Sequence, residues 1–143
     1  MKQFSRWLML LSAAIFHTAA IAGVTEYTLV IDRELVNITG KTVERITVNG
    51  GIPGPIMEFT EGDEAVIHVV NKLDEPTSVH WHGLLLPPEM DGVPGLGGYE
   101  AIKAGATFTY RFTLRQNGTY WYHAHSALQE QDGHYGALII HPK

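Results

Sequence analysis

Short runs in which apolar and polar residues alternate follow one another along most of the chain, and they predict β-strands separated by turns. Tyr27-Thr28-Leu29-Val30-Ile31 is β-branched and aromatic, and Glu34 to Thr39 resumes the pattern. After a turn at Gly40-Lys41, Val43 to Val48 sets Val43, Arg45 and Thr47 against Glu44, Ile46 and Val48. The run Asn49-Gly50-Gly51-Ile52-Pro53-Gly54-Pro55 is loop chemistry, because glycine and proline supply the backbone angles that turns need. Ile56 to Phe59 reads as a short strand and Glu61-Gly62-Asp63 as a turn. In Ala65 to Asn71, residues Ala65, Ile67 and Val69 share one face and Val66, His68 and Val70 the other. Both faces are largely apolar, as expected of a strand lying between two sheets.

Residues 84–106 form the longest irregular stretch, rich in proline and glycine, and a connection of that length usually serves a function or covers something. Thr107 to Arg115 then alternates cleanly, with Phe108, Tyr110, Phe112 and Leu114 on one face. Asn117-Gly118 is a turn, and Tyr135 to His141 is a closing strand whose Ala137-Leu138-Ile139-Ile140 run is wholly apolar. No stretch of ten residues after residue 22 shows a helical period. About eight or nine short strands with frequent turn signals imply an all-β, two-sheet sandwich or barrel. Repeats, low-complexity tracts and linkers are absent from the sequence.

The first 22 residues follow a different rule. Lys2 and Arg6 give a basic start, Trp7 to Ile15 is a short apolar core, and Ala20-Ile21-Ala22 supplies the small-x-small pattern ahead of Gly23. That is the signature of a cleaved secretory signal peptide. A membrane anchor is disfavoured, because Ser12, His17 and Thr18 interrupt a stretch already short of the roughly 20 apolar residues a span needs. The expected division is therefore a signal peptide over 1–22 and one domain over 23–143, with no membrane association after cleavage.

Composition narrows the partners. The formal net charge is −5, and losing Lys2 and Arg6 would make the mature chain more acidic. Nucleic acid is excluded, since phosphates call for clustered Lys and Arg. Cysteine is absent, so the core must hold the fold without disulfides.

Four of the eight histidines fall in two strand-like segments, Ser78-Val79-His80-Trp81-His82-Gly83 and Gly118-Thr119-Tyr120-Trp121-Tyr122-His123-Ala124-His125-Ser126. Residues two apart on a strand share a face, so His80 and His82 look one way with Trp81 turned from them. His123 and His125 do likewise, preceded on their face by Thr119 and Trp121. Their Cα atoms should lie about 6.5–7 Å apart, while metal–imidazole bonds are about 2 Å. The spacing therefore suits a metal cluster better than one tightly chelated ion. Imidazole accepts zinc, copper, iron and nickel, and spacing alone does not choose among them. Of the others, His17 leaves with the signal, His68 reads as a packed or edge histidine, and His134 and His141 are expected to face solvent. Asn37-Ile38-Thr39 and Asn117-Gly118-Thr119 match the glycosylation pattern but sit beside turns in strand regions and carry little weight. The Trp and Tyr residues around the second pair read as core and wall rather than electron relays.

Taken in order, His80-Trp81-His82-Gly83, Met90-Asp91-Gly92-Val93-Pro94-Gly95, Asn117 to Ser126 and Gln129-Glu130-Gln131 resemble the first plastocyanin-like (cupredoxin) domain of multicopper oxidases, in particular the periplasmic copper resistance protein A group. Val36 to Gly40, Thr47 to Gly50, Ile52 to Pro55 and Tyr135 to Ile140 fit the same pattern, so the resemblance spans nearly all of residues 24–143. It implies a Greek-key cupredoxin-like sandwich or barrel of about eight strands, a periplasmic location, and copper as cofactor. By that resemblance His80 would bind the type 2 copper, His82 and His123 one type 3 copper, and His125 the other. These would be half the ligands of a trinuclear cluster that reduces dioxygen to water.

The departures from that family also carry expectations. The sequence has no cysteine and no second set of histidine motifs, and a blue-copper site requires a thiolate. Electron entry and half the cluster ligands are then missing, so the isolated chain is not expected to be a competent oxidase. Only Met57 and Met90 follow the signal, in place of methionine-rich segments, and Gly98-Tyr99-Glu100-Ala101 and Lys103-Ala104-Gly105 differ from the family's usual stretches. Lys143 coincides with the end of the closing strand, which reads as a complete domain from a truncated or split gene. The partners implied are copper ions and either a second cupredoxin-domain chain or self-association. The alternatives are a stand-alone periplasmic copper-sequestering or delivery protein and a non-functional remnant; a zinc-binding or purely structural sandwich ranks last.

Overall fold

The computed structural model of the protein describes residues 22–143, so the signal-peptide reading falls, apart from Ala22, outside the described residues. Strand β1 (Val24–Asn37) is continuous, where the sequence suggested two pieces broken near Asp32. The polar interruption marks a change of partner rather than a turn. Residues 24–31 run parallel to β4 (Glu64–Asn71), and residues 31–37 run antiparallel to β2 (Thr42–Val48). One sheet has the order β2-β1-β4-β6, with β6 at Thr107–Thr113. The second has the order β3-β8-β7-β5, from β3 (Met57–Thr60), β8 (Tyr135–His141), β7 (Gly118–His123) and β5 (His80–His82). These eight strands in two sheets bear out the all-β sandwich.

The alternating patterns decide which faces meet. Tyr110, Phe112 and Leu114 are buried and Phe108 packs against them, as the β6 pattern requires. They join Leu29, Ile31, Ile67 and Val69 from the same sheet and Met57, Trp81, Tyr122, Leu138 and Ile140 from the other in one core. Each large side chain taken fully out of water contributes about 1.5–3 kcal/mol, which lets a chain without disulfides hold together.

The expectation that β4 lies between two sheets is corrected. It is an interior strand of its own sheet, flanked by β1 and β6. Only Ala65, Ile67 and Val69 face the common core, while His68 and Val70 stay half-exposed on the outer face. Two helical pieces appear that the pattern did not signal, a 3-10 turn at Pro88–Met90 and α1 at Gln129–Asp132. Four residues are too few for a 3.6-residue period to show. No helix among the described residues is long and apolar enough to cross a membrane.

Candidate metal centre

Trp81 fixes the geometry of the first histidine pair. It is fully buried, with its ring 5.0 Å from Tyr110 and 5.6 Å from Phe112. Strand alternation then turns His80 and His82 to the opposite face of β5. That strand pairs antiparallel with β7, setting His80 opposite His123, Trp81 opposite Tyr122, and His82 opposite Trp121. Directly opposed residues share a face. The ring centres lie 5.7 Å apart for His80 and His82, 5.3 Å for His80 and His123, and 5.5 Å for His82 and His123. One ring nitrogen from each of these three falls within 4.8 Å of the others.

His125 is placed differently. Strand β7 ends at His123, so strand alternation does not set the direction of His125 as the sequence suggested. Its ring nevertheless comes within 5.6 Å of His80 and 6.3 Å of His123, at the edge of the tight triad. All four expected histidines thus gather on one patch, three tightly and one flanking. His123 is buried, His80 half-buried, and His82 and His125 are exposed.

Hydrogen bonds fix which nitrogens are free. Nδ1–H of His80 donates to the Asp91 carbonyl at 2.8 Å, with the Asp91 carboxylate 3.4 Å away. Nδ1–H of His123 donates to the Ala124 carbonyl at 2.9 Å, and Glu130 Oε2 lies 2.8 Å from the same nitrogen. Each ring is left with an Nε2 lone pair. Nε2 of His123 stands 3.3 Å from Nδ1 of His82. Two nitrogens each about 2 Å from one ion, at roughly the tetrahedral angle, would be about 3.3 Å apart. Burial holds the His123 imidazole below its ordinary pKa, with His80 and His82 acting the same way against the Ala124 carbonyl and Glu130. A neutral ring is the form that binds metal. The donor set is imidazole nitrogen alone, which suits copper among the borderline metals.

The surrounding residues make the walls. Trp121 stacks on His123 at 4.1 Å and 23° and tilts over His82 at 5.2 Å. Gly92 explains how the 84–106 loop reaches His80. With φ at +74°, it presses so closely on Val79 that a Cβ would collide with the Val79 carbonyl oxygen. This contact brings the neighbouring Asp91 carbonyl onto His80. Glu130 arrives on α1, which is anchored by buried Gln129 and by Asp132 bound to Arg33 at 3.1 Å.

The other histidines separate. His68 bonds Thr109 Oγ1 at 2.8 Å and Glu26 at 2.7 Å, a packed role on the outer sheet face. His141 is exposed and paired with Glu58. His134 is the correction: it is fully buried rather than solvent-facing, and burial pulls it down to about 3. Thr77 donates its hydroxyl hydrogen to Gln129 Oε1 at 2.7 Å, so the His134 Nδ1–H donates to Thr77 at 3.2 Å. Asp91, Glu130 and Ser78 were not singled out from sequence. Asp91 and Glu130 lie in stretches that carried the resemblance, but only the fold shows which histidine each one meets.

Known proteins are similar to this chain over most of its length. A family model described as multicopper oxidase matches residues 30–143. The chain is 53% identical over 119 residues to the copper resistance protein A homolog of Pseudomonas syringae pv. tomato, covering 83% of this chain and 20% of that protein. It is 53% identical over 116 residues to copper resistance protein A of Escherichia coli, covering 81% and 19%. The crystal structure of a multi-copper oxidase from Pseudomonas thermotolerans superposes with a TM-score of 0.80 at 35% identity, covering 85% of this chain and 30% of that one. The chain thus spans about a fifth of the length of the curated relatives it matches.

Proposed function

The chain belongs to the multicopper oxidase family, and from that premise we propose that residues 23–143 are its copper-binding amino-terminal domain, with His80, His82, His123 and His125 as the ligands. The observation that carries this reading is the convergence of three imidazole nitrogens within 4.8 Å across the β5–β7 ladder, with His125 beside them. Copper bound there would supply the redox chemistry of dioxygen reduction to water. The protein's own residues orient the rings. The Asp91 and Ala124 carbonyls accept hydrogen bonds from Nδ1–H of His80 and His123, and Trp121 covers one side of His82 and His123.

These histidines are half of a trinuclear ligand set, and the other half comes from outside these residues, from another cupredoxin unit or a second copy. The 143 residues hold no cysteine, so a thiolate copper that admits electrons must also lie elsewhere. The setting is copper resistance in the periplasm after signal cleavage. The exposure of His82 and His125 favours a second reading, an open site that sequesters or delivers copper without a partner.

Equilibrium dialysis of the purified chain against Cu(II), followed by metal analysis, tests the site. Stoichiometric uptake is expected, and its loss when all four histidines become alanine. Undiminished uptake in that quadruple variant removes the reading. No oxidation of phenols or Cu(I) is expected from the chain alone; turnover would show that a missing thiolate does not matter.

A further inference from the structure

Three of the four histidines are held by the ladder, and the fourth needs another restraint. His80, His82 and His123 sit on paired strands, whereas His125 lies two residues past the end of β7. The His125 backbone N–H donates to Ser78 Oγ at 3.1 Å. Ser78 is fully buried, stands two residues before His80, and also shares a hydrogen bond of 2.8 Å with Ser126 Oγ. A hydroxyl accepts and donates at once. One oxygen therefore joins the lead-in of β5 to the exit of β7, catching the residue at His125 and the one after it. Alanine at this place would leave the His125 amide with no acceptor and remove both the Ser78–Ser126 bond and the Ser78–His125 bond.

We propose that Ser78 is a positioning residue for His125, holding its backbone so that the imidazole stays beside His80 where the ladder no longer reaches. The Ser78 hydroxyl bonds the His125 amide and the Ser126 hydroxyl, so it acts through the backbone rather than by hydrogen-bonding a ring. The inference rests on the reading that the four histidines hold copper, and its test separates the two.

The experiment follows two quantities in the purified chain and in Ser78→Ala, Ser78→Thr, Ser126→Ala and His125→Ala. The first is hydrogen exchange of individual amides in metal-free protein. The second is Cu(II) uptake, with the His125-dependent part defined as what His125→Ala removes. The His125 amide is expected to be protected in the unsubstituted chain, and to exchange at least about tenfold faster in Ser78→Ala while the His123 amide keeps its rate. The His125-dependent uptake should weaken about tenfold with the remainder unchanged, and Ser78→Thr should restore both. Ser126→Ala, which leaves Ser78 Oγ in place, should keep the His125 amide protected. An unprotected His125 amide in the unsubstituted chain overturns the proposal, and that result does not depend on any variant folding. A wild-type exchange rate in Ser78→Ala, or a uniform weakening of all copper uptake, overturns it too. Absence of copper uptake by the unsubstituted chain would instead remove the proposed function, and the amide data would still judge Ser78.

Discussion

His80 and His123 face each other directly across the β5–β7 ladder, with ring centres 5.3 Å apart and each Nδ1 bound to a backbone carbonyl. That leaves Nε2 of each ring as the ligand atom, and one nitrogen from each ring lies within 4.8 Å of one from His82, whose Nδ1 is 3.3 Å from His123 Nε2. Removing any of the three breaks the tight triad, whereas removing His125 takes only the flanking donor. His80→Ala, His82→Ala and His123→Ala should each lower Cu(II) affinity by about a hundredfold or more, and His125→Ala by less. Calorimetric titration of the four single variants checks the order; equal losses at all four positions would contradict the division into triad and flank.

Much of this was legible in the sequence for a simple reason. A strand has a period of two, so a His-x-His pair around a buried Trp81 announces a shared face without any knowledge of the fold. The β6 pattern of Phe108, Tyr110, Phe112 and Leu114 gave its inner face by the same rule, and Trp121 proved to be wall, as expected. What the period cannot carry is a contact set by tertiary approach. His134 sits in a polar stretch beside Gly133, which reads as solvent-facing, yet it is fully buried, its backbone N–H bonded to the Gln129 carbonyl of α1 and its ring to Thr77. The period of two extends to His125, but β7 ends at His123, so the ladder does not orient that ring. The partners Asp91 and Glu130 come from a loop and a four-residue helix, elements whose paths follow from what they pack on rather than from any repeat.

Glu130 places a carboxylate 2.8 Å from the Nδ1 of His123, where it favours the N–H at that atom and enriches the ligand nitrogen opposite. Glu130→Gln keeps the shape and removes the charge. Copper affinity should fall about tenfold or more, while Ala124 still accepts the proton and the fold is retained. Thermal unfolding and Cu(II) titration together decide this, and an unchanged affinity would show that the Ala124 carbonyl alone suffices.

Trp81 is the anchor that turns His80 and His82 outward. Trp81→Ala empties a site ringed by Tyr110, Phe112 and Tyr122 and should destabilise the domain by about 3–5 kcal/mol. Urea unfolding measures this. Loss below about 1 kcal/mol would mean that the core closes over the gap, and the anchoring argument would fail.

Gly92 is a steric rather than a chemical element of the site. Its φ of +74° and its contact with the Val79 carbonyl leave no place for a side chain. Gly92→Ala must displace the loop, and with it the Asp91 carbonyl that holds His80. The expected outcome is a loss of about 1–3 kcal/mol in stability together with weakened Cu(II) binding. NMR of the His80 ring nitrogens gives a direct reading: an unaltered Nδ1–H signal would show that Asp91 keeps its place without this contact.

His134 makes stability depend on pH in a definite direction. Burial lowers its pKa from the ordinary 6.5 to about 3, the charge of nearby His123 adding to the effect. The unfolded chain therefore binds a proton that the native chain refuses between those values. Stability from this residue is complete above about pH 6.5 and declines as pH falls toward about 3, by up to about 1.4 kcal/mol per unit. His134→Leu keeps an apolar-sized side chain and has nothing to protonate. Urea unfolding of metal-free protein at pH 7.5 and pH 5.0 should show a loss for the parent chain that shrinks in this variant by about 1–2 kcal/mol. Identical losses in the two proteins would mean that His134 takes up its proton in the folded state, and that the closed pocket around Thr77 and Gln129 opens to admit it.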